Sequence, residues 1–198
     1  APAPISAGDY RWETWGLISA RTSRANLLLG KLAVTAMLAL AAMGLMLVGG
    51  LFETLIRASV FTRPLTFGLT GELFGQLLAG FGLSWLRIVQ FTMMGMLAAV
   101  VTRSLLVALF VPLVVGVAQF FTPQILASMG VMPDAWLSVL LNPGAAMDAL
   151  KLVVIQPEGA PPLPDGMLLK SVLSMTLWTL APLAGALAWF NRQDLSKE

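Results

Sequence analysis

The sequence contains no cysteine and no histidine. The first absence excludes disulfides, iron–sulfur clusters and thiol nucleophiles. The second removes the commonest metal ligand and the commonest general base at neutral pH. Charge is also scarce. Only 11% of the 198 residues are Asp, Glu, Lys or Arg, against about a quarter in a soluble domain. The remainder is apolar: 58% hydrophobic, with a mean hydropathy of +0.84. Residues 1–8 (APAPISAG) lack the basic and apolar regions of a signal peptide, and the first residue is not methionine. A fragment or trimmed product is therefore expected.

The apolar residues are bunched into runs. Residues 32–52 and 171–191 carry no charge, residues 73–102 carry one, Arg87, and residues 104–121 carry none. A run of about 20 such residues at about 1.5 Å each crosses the hydrocarbon of a bilayer. The sequence thus predicts an all-α, polytopic membrane bundle with four spans near 32–55, 83–102, 104–121 and 170–190. Residues 1–31 would form a cytoplasmic N-terminal segment, 32–190 the transmembrane domain, and 191–198 a cytoplasmic tail.

Orientation follows from the retention of Lys and Arg on the cytoplasmic side. With both ends inside, the inner set is Arg11, Arg21, Arg24, Lys31, Arg103, Arg192 and Lys197. The outer set is Arg57, Arg63, Arg87, Lys151 and Lys170, a smaller one. The short link at Arg103 suits a tight inner turn. Glu53 and Arg57 are spaced to pair at the outer end of the first span. Pro112 is expected to kink the third span. Gly71, Gly75 and Ala79 recur every fourth residue, as do Ala181, Gly185 and the nearby Ala188 approximately; such small residues allow helices to approach closely in lipid, although among 18 glycines chance explains the first set equally well. Arg87 is a lone charge in an apolar run and must either snorkel or face protein, with snorkelling the expected outcome. Within the external segment 122–169, PDAWLSVLL and PGAAMDALKLVVI read as short helices too short to cross, forming a re-entrant or interfacial cap.

Catalytic patterns are missing. Gly30-Lys31 is followed by leucine, and Ala25 stands where a phosphate-binding loop needs its first glycine. Histidine-dependent intramembrane proteases are excluded. The aspartates Asp9, Asp134, Asp148, Asp165 and Asp194 fall outside the predicted spans, which disfavours an aspartyl protease or a proton relay. No serine is paired with Lys151 or Lys170 in a defined motif. Catalytic, cofactor and metal sites are expected to be absent from this chain, and no nucleic-acid partner is expected.

The most patterned stretch precedes the first span: GDYRWETWGLISARTSRANLLLGKL, residues 8–32. Trp12, Trp15 and Tyr10 suit the headgroup level, and Arg21 and Arg24 suit either phosphates or an acidic protein surface. Together DYRWET, LISARTSR and LLLGK resemble the segment before the third helix of ABC-2 type ATP-binding cassette permeases, which reads approximately E-Y-R-x-G-T, a leucine-rich turn, S-R and a lysine. Tyr10, Arg11, Thr14, Ser23, Arg24 and Lys31 match, Asp9 replaces glutamate, and Glu13 stands in place of glycine. LLNPGAAMDALKL (140–152) is similar to the family's external L-N-P segment, and WFNRQDL (189–195) to its usual ending.

That resemblance implies a permease subunit of six helices, of which this chain would lack the first two. It implies a coupling helix (Asp9, Arg11, Thr14, Arg21, Ser23, Arg24, Lys31) seated on a cassette ATPase that holds ATP and Mg. It further implies a second permease subunit, identical or not, and a place in the inner membrane of a bacterial or archaeal cell. The alternative is a membrane anchor or assembly subunit that transports nothing.

Overall fold

The computed structural model describes residues 24–62, 68, 70–156, 159 and 162–192. Among these, all regular structure is helical: α1 (Arg24–Val60), α2 (Gly71–Thr102), α3 (Leu105–Ser128), α4 (Trp136–Leu141), α5 (Pro143–Ile155) and α6 (Met167–Arg192). Helices α1, α2, α3 and α6 are long and apolar enough to cross a membrane. The all-α, four-span architecture expected from the sequence is therefore observed. The helices outrun the hydrocarbon, however. α1 covers about 55 Å, and α2 begins at Gly71, well before the span expected at 83–102.

Two clusters define the two ends of the bundle. Leu28 of α1, Met96 and Val100 of α2, and Ala186 and Phe190 of α6 bury one another. This end also holds the α2–α3 turn, where Thr102 is followed by Arg103 in a left-handed conformation (φ 53°) and Ser104 caps α3 by accepting from the Val107 amide. At the other end, Val139, Ala146, Met147 and Ala149 of the short helices pack on Met167 and Met175 of α6 and on Leu83 and Leu86 of α2. α2 is the hub. More than half of its apolar window is buried, while almost none of α1's is.

The short helices show why α6 must lie beside them. A six-residue helix leaves its last carbonyls without intrahelical donors, which is costly away from water. Side chains on one stripe of α6 supply them. Ser174 Oγ donates to the Val139 carbonyl at 2.8 Å and Trp178 Nε1 to the Leu140 carbonyl at 2.7 Å. Lys170 Nζ donates to the Asp134 carbonyl at 2.6 Å and lies 5.6 Å from the Trp136 ring centre. Asn142 then caps α5, its Oδ1 accepting from the amides of Gly144 and Ala145, and Pro143 occupies the first turn. Pro133, expected to open the preceding helix, instead lies in the turn before it.

Three sequence expectations change. Gly71, Gly75 and Ala79 are exposed, and among the described residues nothing lies within 4 Å of where a Cβ on either glycine would be. On α6 the packed stripe is Pro182, Ala186 and Phe190, with Gly185 against Leu97; Ala181 and Ala188 point outward because the true stripe follows the 3.6-residue period rather than the small residues alone. The close approach predicted for glycine falls elsewhere, at Gly95. Pro112 cannot donate to the Ala108 carbonyl, and a Cβ on Gly95 would lie 3.0 Å from that oxygen and 3.3 Å from Pro112 Cγ. The proline frees the carbonyl, and the missing side chain lets α2 sit against it. α3 runs as one helix through Pro112 and Pro123.

Gly95→Ala is accordingly expected to destabilise the bundle by about 1–3 kcal/mol through overpacking, whereas Gly75→Ala, with open space around it, is expected to be neutral or slightly stabilising. Thermal unfolding of both variants in one detergent checks the contrast.

Candidate functional site

Of the residues singled out before the first span, Asp9, Arg11, Thr14, Arg21 and Ser23 lie outside the described residues. Arg24 is the first residue of α1 and Lys31 lies half-buried two turns further on. The helix therefore runs without a break from the end of the basic segment into the span. Its first turns are gripped: Leu28, 2% exposed, sits between the terminal turns of α2 and α6.

A second constellation lies deeper. Arg87, expected to snorkel, faces protein instead. Its Nη1 donates to Gln90 Oε1 at 3.0 Å and its Nη2 donates to Gln119 Oε1. The guanidinium lies 4.5 Å from the centre of the Phe91 ring. Gln90 is completely buried and passes the network on: its Nε2 donates to the Met175 carbonyl and to Thr179 Oγ1, both at 3.1 Å. Thr179 Oγ1 donates in turn to the same Met175 carbonyl at 2.6 Å. One chain of hydrogen bonds thus joins α6, α2 and α3.

This network lies at membrane depth. Arg87 is about 22 Å along α2 from Thr102, Gln119 about 21 Å along α3 from Leu105, and Met175 about 25 Å along α6 from Arg192. Three polar positions on three helices share a level because each helix needs its polar residue where the others have theirs. Snorkelling fails for a local reason. α5 packs over this level, so Arg87 meets Asn142, Gly144 and Asp148 where a lipid-facing arginine would meet headgroups.

These groups line a cleft of about 390 Å³, formed by Arg87, Gln119, Pro123, Asn142, Gly144 and Asp148 together with three neighbours. Asp148, placed outside the spans by its sequence, is brought by α5 to the mouth of this cleft, where it is exposed. Gln119 is 6% exposed, and its Nε2 has no hydrogen-bond partner among the described residues. Gln90 and Gln119 were visible in the sequence as a signal: a glutamine in an apolar run is costly unless a group on another helix answers it. Among the described residues no group of three or more metal-ligating acidic side chains occurs. Lys170 is committed to the Asp134 carbonyl rather than to a serine.

Removing the central amide should therefore loosen the bundle. Gln90→Leu leaves Arg87 and Thr179 each short of a partner and is expected to cost about 1–3 kcal/mol, read as a lowered midpoint of thermal unfolding. Thr176→Val, on an exposed face of α6 where the hydroxyl bonds only to its own helix, is the matched control and should change little.

Residues 17–195 match the family described as ABC-2 family transporter protein. The match covers most of the sequence, and the chain belongs to that family. Comparison with curated proteins and with solved structures returned no match.

Proposed function

We propose that this ABC-2 family member, an integral multi-pass membrane protein, is the permease subunit of a transporter driven by ATP that a separate cassette ATPase hydrolyses. Asp9, Arg11, Thr14, Arg21, Ser23, Arg24 and Lys31 would form or support the contact with that ATPase, ATP and Mg being held by the partner. The cytoplasmic face would be the end that carries Arg24, Arg103 and Arg192, in the inner membrane of a bacterial or archaeal cell. A second permease subunit, identical or not, would complete the path, and the nearly unburied apolar surface of α1 gives it a face to meet.

The observation that carries the reading is the junction at Leu28. Charged side chains fix register on a protein partner better than they fix depth in a lipid surface. A helix that continues unbroken from such a segment transmits its displacement rather than absorbing it. Here the transmitted displacement reaches a residue buried between α2 and α6. ATP binding in the partner would act by favouring one of two packings of these ends, and only a partner that contacts the two packings differently can do so. An anchor that moves nothing would need no such grip.

Arg21→Glu combined with Arg24→Glu is expected to lower recovery of the ATPase with the permease by at least about tenfold, since like charges then face the site that attracted them. Unchanged recovery together with unchanged ATP-driven flux overturns the assignment. Leu28→Ala separates grip from contact. The ATPase should still co-purify, while flux per ATP hydrolysed falls, measured in reconstituted vesicles.

A further inference from the structure

The Arg87 cleft does not end at its polar residues. Along α3 it continues through Gly116 and Phe120 into an apolar groove of about 540 Å³ whose other walls include Phe91, Pro112, Leu113 and Val117. Gly116 lines both cavities, and a Cβ there would lie 3.6 Å from the Phe91 ring, in ordinary contact. Leu113, Val117 and Phe120 are at least half exposed, so the groove opens sideways toward the surrounding lipid rather than toward water. The result is a polar chamber joined to a lateral apolar slot at membrane depth.

The polar end presents two opposite demands. Arg87 has five N–H donors, of which the described bonds engage two. Beside it, the Gln119 Nε2 amide is buried and unanswered. A buried donor left without a partner favours any acceptor that can reach it. Asp148 stands at the mouth of the same chamber without forming a direct ion pair with Arg87. A ligand with only a negative head would be held by the donors and repelled by Asp148. A ligand carrying an anionic oxygen and an ammonium on one head satisfies both.

We propose that this chamber binds a zwitterionic phospholipid with a primary-amine headgroup: phosphate oxygens on Arg87 and Gln119, ammonium at Asp148, and an acyl chain in the groove beside Phe91 and Val117. The lipid enters from the bilayer between α2 and α3. This holds whether or not an ATPase drives the protein, because every residue named here belongs to one chain.

The test uses the full-length protein purified in mild detergent, delipidated, and titrated by native mass spectrometry with short-chain phosphatidylethanolamine, phosphatidylglycerol and, as a tail-free probe, inorganic phosphate. Phosphatidylethanolamine should bind at least about tenfold more tightly than phosphatidylglycerol, and inorganic phosphate should not displace it. Asp148→Asn should erase the preference while leaving lipid bound. Gln119→Leu, close in volume and free of an unsatisfied amide, should fold and weaken both lipids by about tenfold. Equal affinity of the unaltered protein for the two lipids overturns the proposal, as does displacement by inorganic phosphate, which would mark a free-anion site. Indifference of lipid binding to both substitutions overturns it as well.

Discussion

Gln90 is the residue through which the transmembrane helices are held in register. Between hydrocarbon-facing helices there is little hydrophobic driving force, because lipid tails are as apolar as leucine. Van der Waals packing is similarly available to many registers. A completely buried amide that accepts from Arg87 and donates to Met175 and Thr179 is satisfied in one register only. The contact matters less for its own modest stabilisation than for what breaking it strands: a guanidinium and an amide in a low-dielectric interior.

The same rule governs the elements that appear irregular. α4 is too short to satisfy its own carbonyls, and Ser174 and Trp178 on α6 satisfy two of them. α3 loses a bond at Pro112, and Gly95 brings α2 against the freed carbonyl. α5 begins at an Asn-Pro pair that supplies a cap and a residue with no amide to satisfy. In the first two cases a defect in one helix is answered by a particular residue on another, which fixes where the second helix must lie. The Asn142-Pro143 pair, noticed in sequence as a family-like segment, thus has a local physical reason as the start of a helix that roofs the polar chamber.

How far the fold could be read follows from which signals are periodic. Runs such as residues 32–52 and 171–191 mark spans because hydrocarbon thickness is a one-dimensional constraint, and a sequence is one-dimensional too. The helix ends escaped this reading: α2 begins at Gly71 and α1 continues past the exposed Glu53–Arg57 pair, since nothing in apolarity stops a helix that leaves the membrane intact. Faces were harder. The small residues Gly71 and Gly75 are spaced for packing yet meet no neighbour, while Gly95, unremarkable in spacing, is the tight contact, because its need arises from a proline on another helix. Arg87 was visible as a lone charge but its destination was not. That depends on Gln119 and on α5, contributed from 32 residues away and further.

Gln119 separates a structural network from a binding chamber. If the polar centre served only to lock helices, its cheapest form would end in a residue with no surplus donor, since each buried polar atom left over costs as much as the bond beside it gains. Gln90 meets that standard, with both ends of its amide engaged. Gln119 does not: its oxygen is taken by Arg87 while its nitrogen is buried without a partner in a cleft that continues to the bilayer. A leucine at this position would also leave Arg87 its bond to Gln90, so helix locking alone does not require the second amide. The free donor and the opening toward lipid have no partner within the bundle, while Asp148 already favours the charge of Arg87 across the cleft. An amphiphile with both charges on its head would engage all three.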